Sequence, residues 1–386
     1  MTEALVAEPG GTASEQLAAT PPMGWNSWNQ VRCWELTEQL VRDTADQLVA
    51  RGLDRAGYRY VVVDDCWQGG RDEHGVLFSD PKRFPSGIPA LAEYVHGLGL
   101  QFGLYAVPGT QTCANYYDAY PELGLGSYGH ERTDAESFAA WGVDYLKYDW
   151  CQADNGTRLT RPDAFSRMRD ELARVSRPIV YAISEYGETE PWQWAASIAN
   201  LWRTTEDIAP EWGSIARIID EQAGLAAFAR PGAWNDPDML QFGNGDLTPE
   251  QNRSHFAMWC MLAAPLFLGT SVAALSDEEV AVLTNPELIA IDQDPLGRQA
   301  RRVVDGDPVQ VWVRELADGD HAVAFFNPSD AAAAVRAEFD ELGITGAGEY
   351  LGRDVWTGAE STLRDGLEAD VPAYGTRVLR LRRRGE

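Results

Sequence analysis

The sequence predicts a (β/α)8 TIM barrel followed by a C-terminal antiparallel β-sandwich, and three observations carry that prediction. From about residue 20 to 298, short apolar runs rich in β-formers alternate with amphipathic helical stretches, the rhythm of βα units on a parallel sheet. Eight such runs can be counted, which favours a closed barrel over a doubly wound sheet. Beyond about Arg301 the apolar residues recur with a period of two, between Asp-Gly and Gly-rich turns.

In chain order, Met23 to Trp25 is the first expected strand. Thr37 to Arg51 carries apolar positions at helical spacing until Gly57 breaks the pattern, and Tyr60 to Val63 then runs directly into Asp64 and Asp65. PALAEYVHGLGL reads as helix and Phe102 to Val107 as strand. Tyr145 to Trp150, Ile179 to Ile183, Leu201 to Thr205, Ala233 to Asp236 and Leu266 to Gly269 complete the eight. The tail segments VQVWVREL, HAVAFFN, AVRAEF and TRVLRLRR alternate apolar and polar residues, with no helix-length run between them. The resulting division is a flexible arm at 1–19, a barrel at 20–300 and a sandwich at 301–386.

Composition narrows the function. Apolar residues at 45% and charged residues at 24% are ordinary globular proportions, which argues against a disordered or fibrous chain. A net charge of -27 repels phosphate backbones and anionic lipid, so neither nucleic acid nor a membrane is an expected partner. No stretch reaches 18 consecutive apolar residues, and the first 20 residues lack a basic-then-apolar leader, which points to a cytoplasmic location. An oxidising compartment would instead permit disulfides. Five dispersed cysteines and five isolated histidines form no Cys-x-x-Cys or His-Glu-x-x-His pattern, so no metal is expected.

Polar residues at the carboxyl ends of barrel strands face the active-site mouth. Here they are Trp25 and Trp28, then Asp64, Asp65 and Trp67, then Tyr105, Lys147 and Asp149, Glu185 and Tyr186, Arg203, Glu206 and Asp207, and lastly Asn235, Asp236 and Asp238. A lone Asp at a strand end serves equally well as a helix cap. A ring of carboxylates, cations and flat aromatic faces suits a neutral polyhydroxylated ligand instead. Glycoside hydrolysis needs two carboxyl groups across the scissile bond, and Asp149 and Asp207 end different strands. Lys147 and Asp149, two apart on a strand, share one side of the sheet, where the ammonium favours an ionised Asp149. Repulsion between Asp64 and Asp65 is a cost that ligand hydroxyls could relieve. Arg203 and Asp207 are spaced for an ion pair, and Cys260 sits in an apolar helix as a packing residue.

Taken together, TPPMGWNSW, YVVVDDCWQ, RFPSGIPALAEYVHGLGLQFGLY, WGVDYLKYDWC, LWRTTEDI, WNDPDML, MLAAPL and IDQDPLG resemble glycoside hydrolase family 27 over roughly residues 20 to 300. DVWTG and VPAYGT extend a weaker resemblance into the tail. The resemblance implies a retaining exo-acting α-galactosidase-like enzyme that works by double displacement without cofactor or metal. It assigns Asp149 as nucleophile and Asp207 as acid/base. It also implies that Asp64 and Asp65 bind the O6 and O4 hydroxyls, Lys147 reaches O3 and O4, Arg203 reaches O2, and Trp28, Tyr105 and Met239 line further positions. Two disulfides, Cys33 with Cys66 and Cys113 with Cys151, follow from the same resemblance and leave Cys260 free.

Three departures bear on specificity. Ser184-Glu185-Tyr186-Gly187 stands where many α-galactosidases have Cys-Glu-Trp-Gly, so Glu185 and Tyr186 become candidate contacts near O2. The stretch after Cys113 is longer than usual, carries Tyr116, Tyr117 and Tyr120, and is placed to shape or lid the pocket. Trp150 is bulkier than the residue eukaryotic members carry. Alternatives within the family are a β-L-arabinopyranosidase and an isomaltose-releasing dextran hydrolase, while the bulk of Glu185 and Tyr186 argues against an acetamido sugar. The substrate partner is an α-galactoside oligo- or polysaccharide; a homo-oligomer is compatible with the sequence, though nothing in it identifies an interface.

Overall fold

The computed structural model describes residues 17–344 and 348–384; residues 1–16 of the expected arm lie outside this range. Eight parallel strands form one sheet in which Met23–Asn26 is flanked by Tyr60–Val63 and Leu266–Leu268. Gln101–Ala106, Tyr145–Asp149, Val180–Ser184, Leu201–Arg203 and Trp234–Asp236 follow in sequence order. The eight segments match those expected from the sequence to within a residue or two at their ends.

Closure is less regular than the strand count implies. No ladder joins Trp234–Asp236 to Leu266–Leu268; a bridge at Leu240 makes the link, with its amide donating to Phe267 O and its carbonyl accepting from Gly269 N. The strands are short because the chain turns outward at the mouth as soon as each polar residue is reached. Close strand approach fixes Gly24, where a Cβ would sit 2.2 Å from the Tyr60 carbonyl oxygen. Leu17 and Ala18 pack on the barrel rather than trailing from it, since Ala18 O accepts from Gly232 N and Trp234 Nε1.

The helices follow from capping and stripe. Glu38–Ala50 starts where the Thr37 hydroxyl accepts from Leu40 N, and it buries Val41, Ala45 and Leu48 at three-to-four spacing against the barrel. Pro249–Met261 has a capping box between Thr248 and Gln251 and Pro at its first position. It is buried on almost every side, because the barrel covers one flank and the C-terminal sheet the other.

That C-terminal part is a six-stranded antiparallel sheet, in the order Arg301–Asp305, Gln310–Glu315, His321–Phe326, Thr376–Arg383, Tyr350–Asp354 and Glu360–Leu363. A two-stranded ribbon, Ala333–Glu338 with Gly366–Val371, accompanies it. Period two explains its double burial: Val311, Val313, Val323 and Phe325 face the sandwich core, while Trp312, Ala322, Ala324 and Phe326 belong to the barrel-side core. Arg314 is buried at this junction and donates to Cys260 O and Asp292 O, so its charge meets the carbonyl end of the Pro249–Met261 helix. No described helix is long and apolar enough to cross a membrane.

Candidate active site

The strand ends open into one cavity of about 580 Å³. Of the residues singled out in the sequence, Trp28, Asp64, Asp65, Tyr105, Lys147, Asp149, Tyr186, Arg203, Asp207 and Met239 line it. Glu185 does not.

Alternation along Tyr145–Asp149 aims Lys147 and Asp149 into the barrel and sends Tyr148 outward against Phe165 and Tyr181. Lys147 Nζ donates to Asp64 Oδ2 at 2.8 Å rather than to Asp149, and Asn26 Nδ2 donates to the same oxygen at 2.7 Å. Asp65 accepts from Cys66 N and Ala114 N. The repulsion expected between these neighbours is therefore met by the protein's own donors, before any ligand binds. Burial nonetheless pushes the Asp65 carboxyl up to about 7, the Ala114 amide working against it and the Asp64 charge with it.

Asp149 is only 6% exposed. Tyr186 donates to its Oδ1 at 2.7 Å, and the Tyr105 hydroxyl lies 3.4 Å from Oδ2. Burial raises its pKa; Lys147 and the Tyr186 hydrogen bond pull the other way, and the Asp207 charge adds to the rise. Both disulfides implied by the resemblance are present, Cys33–Cys66 and Cys113–Cys151, with Cys260 free and buried. Cys113 Sγ and Cys151 Sγ lie beside Asp149, but the disulfide leaves them no thiolate with which to hold a metal.

Asp207 occupies the opposite regime, with its side chain 65% exposed at the mouth. Arg203 bridges it to a third carboxylate: Nη1 is 3.1 Å from Asp207 Oδ1 and Nη2 is 3.0 Å from Asp238 Oδ2. Desolvation opposes the Asp207 charge, but Arg203, with Lys147, outweighs it and holds the carboxyl below its usual range. Asp238, buried on the other side of the same guanidinium, is pushed upward by desolvation.

The sequence placed Glu185 near the sugar, and the structure corrects this. Its carboxylate is fully buried, accepts from Thr189 N and Thr189 Oγ1, and lies 3.0 Å from Arg161 Nε. Burial pushes it up to about 7 against those donors and the Arg161 charge. Arg161 also pairs with Glu188 and lies over the Trp150 ring at 4.7 Å. Glu185, inside the departing Ser184–Gly187 loop, and Trp150, itself a departure, thus meet through one arginine that the sequence did not single out. Tyr186 turns into the site because its backbone is left-handed (φ 62°), and Gly187 follows with φ 78°. The steric argument against an acetamido sugar then rests on Tyr186 and not on Glu185.

Arg32, Asp118, Gln152 and Arg161, which the sequence did not single out, also line the cavity, as does Tyr117. Tyr117 stands on the long stretch after Cys113, whose aromatic cluster was the one available signal. The Arg32–Asp118 ion pair, at 2.7 Å, spans 86 positions and leaves no local pattern to read.

The chain is similar to known proteins along nearly its whole length. The family model described as "Alpha galactosidase A" matches residues 20–294, and that of the "Alpha galactosidase C-terminal beta sandwich domain" matches residues 306–381. The chain is 40% identical to Alpha-galactosidase A of Cellvibrio japonicus, over 95% of this chain and 93% of that protein. Among solved structures it is similar to alpha-galactosidase I from Mortierella vinacea, with TM-score 0.89, 33% identity and coverage of 96% of this chain and 98% of that one. It also resembles a family 27 β-L-arabinopyranosidase from Geobacillus stearothermophilus, with TM-score 0.85 and 25% identity over 96% and 98% of the two chains. With models of both its parts matched and a relative of this identity along nearly its whole length, the chain belongs to glycoside hydrolase family 27 and is a glycosidase.

Proposed function

We propose that this glycosidase removes terminal α-D-galactosyl residues with retention, Asp149 attacking as nucleophile and Asp207 serving as acid/base. The observation that carries the assignment is the contrast in burial between the two carboxylates. An acid/base must reach the leaving oxygen and then an incoming water, and Asp207 is open at the mouth. A nucleophile needs no water and gains from fixed geometry; Asp149 is buried and oriented by Tyr186.

In the reaction, Asp207 gives its proton to the glycosidic oxygen as Asp149 forms a bond to the anomeric carbon. Asp207 then takes a proton from the water that cleaves the resulting ester. Arg203 keeps Asp207 ionised in the empty site, and a sugar hydroxyl that accepts from Arg203 weakens that pull and lets Asp207 hold the proton it must donate. The Asp64–Asp65 pair favours galactose over L-arabinopyranose, because only galactose carries the hydroxymethyl oxygen that a second carboxylate would hold. A panel of aryl α-galactoside, β-L-arabinopyranoside, α-N-acetylgalactosaminide and α-glucoside tests the assignment. The α-galactoside is expected to be turned over fastest, and a faster β-L-arabinopyranoside or α-glucoside would overturn it.

A further inference from the structure

Beyond the Asp149–Asp207 pair, the cavity mouth carries an aromatic side chain that no part of the reaction described above uses. Tyr117 is 64% exposed and lines the same cavity as the two carboxylates. A singly exposed ring is ordinary by itself; what sets Tyr117 apart from Trp34, Phe78 and Leu123 is its place in the cavity lining.

The stretch that carries it is tied down throughout. The helical turn Cys113–Tyr117 begins with a capping box between Thr112 and Asn115. Asn115 Nδ2 donates onward to Tyr120 O at 3.0 Å and Glu122 O at 2.7 Å, closing the following bend. Tyr120 turns inward, and its hydroxyl bonds Gln68 O at 2.6 Å. Further along, Arg71 Nη2 donates to Gly126 O at 2.8 Å. The Cys113–Cys151 disulfide fixes the base of the turn beside Asp149. Of the two expectations for this stretch, shaping the pocket or lidding it, these bonds support shaping, as a braced wall. Tyr117 itself is oriented by Gln152, whose Nε2 donates to its hydroxyl at 2.8 Å, and by the tilted Tyr116 ring at 6.2 Å.

The surroundings of the ring identify what it would hold. Arg32, Asp118, Gln152 and Asp154 share the cavity lining with it, supplying a cation, carboxylates and an amide within one rim. The exposed apolar residues Trp34 and Leu123 are not part of that lining. An aromatic face ringed by hydrogen-bonding groups matches a pyranose, whose C–H face stacks while its hydroxyls bond at the edges. A hydrocarbon chain would leave those polar groups unpaired. Pre-ordering of the wall spares a ligand the entropy of organising it.

We propose that Tyr117, with Arg32, Asp118 and Gln152 at its edges, is a specificity-determining residue that stacks the leaving-group sugar next to the scissile galactosyl bond. This rests on the α-galactosidase reading and refines it. Galactosyl fluoride provides the control, because its leaving group is a single atom that cannot reach the ring.

The test is the ratio of kcat/KM on raffinose to kcat/KM on α-galactosyl fluoride, measured for the unaltered protein, Tyr117→Ala and Tyr117→Phe. Tyr117→Ala is expected to lower the ratio about ten-fold, the size of one lost aromatic stacking contact. Tyr117→Phe, which keeps the ring, is expected to preserve most of it. An unchanged ratio in Tyr117→Ala, or an equal fall in both variants, overturns the stacking subsite. If the unaltered protein cleaves neither substrate, the α-galactosidase reading has failed and the subsite falls with it.

Discussion

The Tyr186 hydroxyl donates to Asp149 Oδ1 at 2.7 Å, from a residue held in the left-handed region at φ 62°. A donor to the ionised form lowers a carboxyl pKa, so its removal raises it. Tyr186→Phe is expected to move the acid limb of the kcat/KM profile to higher pH. It should also cost about ten-fold at the optimum, in line with the loss of a hydrogen bond to a charged group. A pH series on an aryl α-galactoside reads both effects, and a limb that stays in place would show that the hydroxyl does not govern Asp149.

Gly187, which follows, is also left-handed, and a Cβ there would lie 2.2 Å from the Thr204 carbonyl oxygen. Gly187→Ala has to displace either the Tyr186 turn or the strand end that leads to Asp207. Activity should fall well beyond the loss in Tyr186→Phe, with a Tm decrease corresponding to more than about 1 kcal/mol. Calorimetry beside kinetics measures the two, and a variant with full activity and an unchanged Tm contradicts the geometry.

Asp207→Ala separates the acid role from the rest of the site. General acid catalysis contributes about 10² to 10⁴-fold where the leaving group is a poor one. Loss of that size in kcat/KM, which reports the first step, is expected on raffinose, and far less on a dinitrophenyl α-galactoside or α-galactosyl fluoride, which leave without a proton. Equal losses on all three would remove Asp207 from that role.

His255 predicts a stability effect away from the chemistry. Stacked on Trp259 at 4.1 Å with neither ring nitrogen bonded, it is held neutral by burial, its pKa pushed down to about 3. The unfolded chain takes up a proton below about pH 6.5 that the folded chain refuses, so this residue's contribution is intact above that pH and is lost as the pH falls. Between pH 6.5 and 5 the loss amounts to about 2 kcal/mol. His255→Leu should shrink the difference in Tm between pH 7.5 and pH 5, and an undiminished difference places the acid sensitivity elsewhere.

The barrel was legible because eight short apolar runs alternate with helical stretches and most of them end at polar residues, and the sandwich because its period is two. Asp149 and Lys147 followed from strand alternation alone. Glu185 was misplaced because alternation stops at Ser184; the left-handed Tyr186 turns the chain, so Tyr186 enters the pocket and Glu185 goes to Arg161. Closure through Leu240 and the Arg32–Asp118 pair join residues far apart in sequence, and no local pattern encodes either one.

Retention through Asp149 requires a covalent glycosyl ester on its carboxylate, which can be trapped. A 5-fluoro-α-galactosyl fluoride retains a good leaving group while its ring fluorine slows turnover, so the ester accumulates and can be located by peptide mass spectrometry. One fluorogalactosyl unit is expected on the peptide that carries Asp149, and none in an Asp149→Asn protein that melts at the same temperature. A label on another carboxylate, or an unlabelled enzyme that releases inverted galactose, would contradict the role of Asp149.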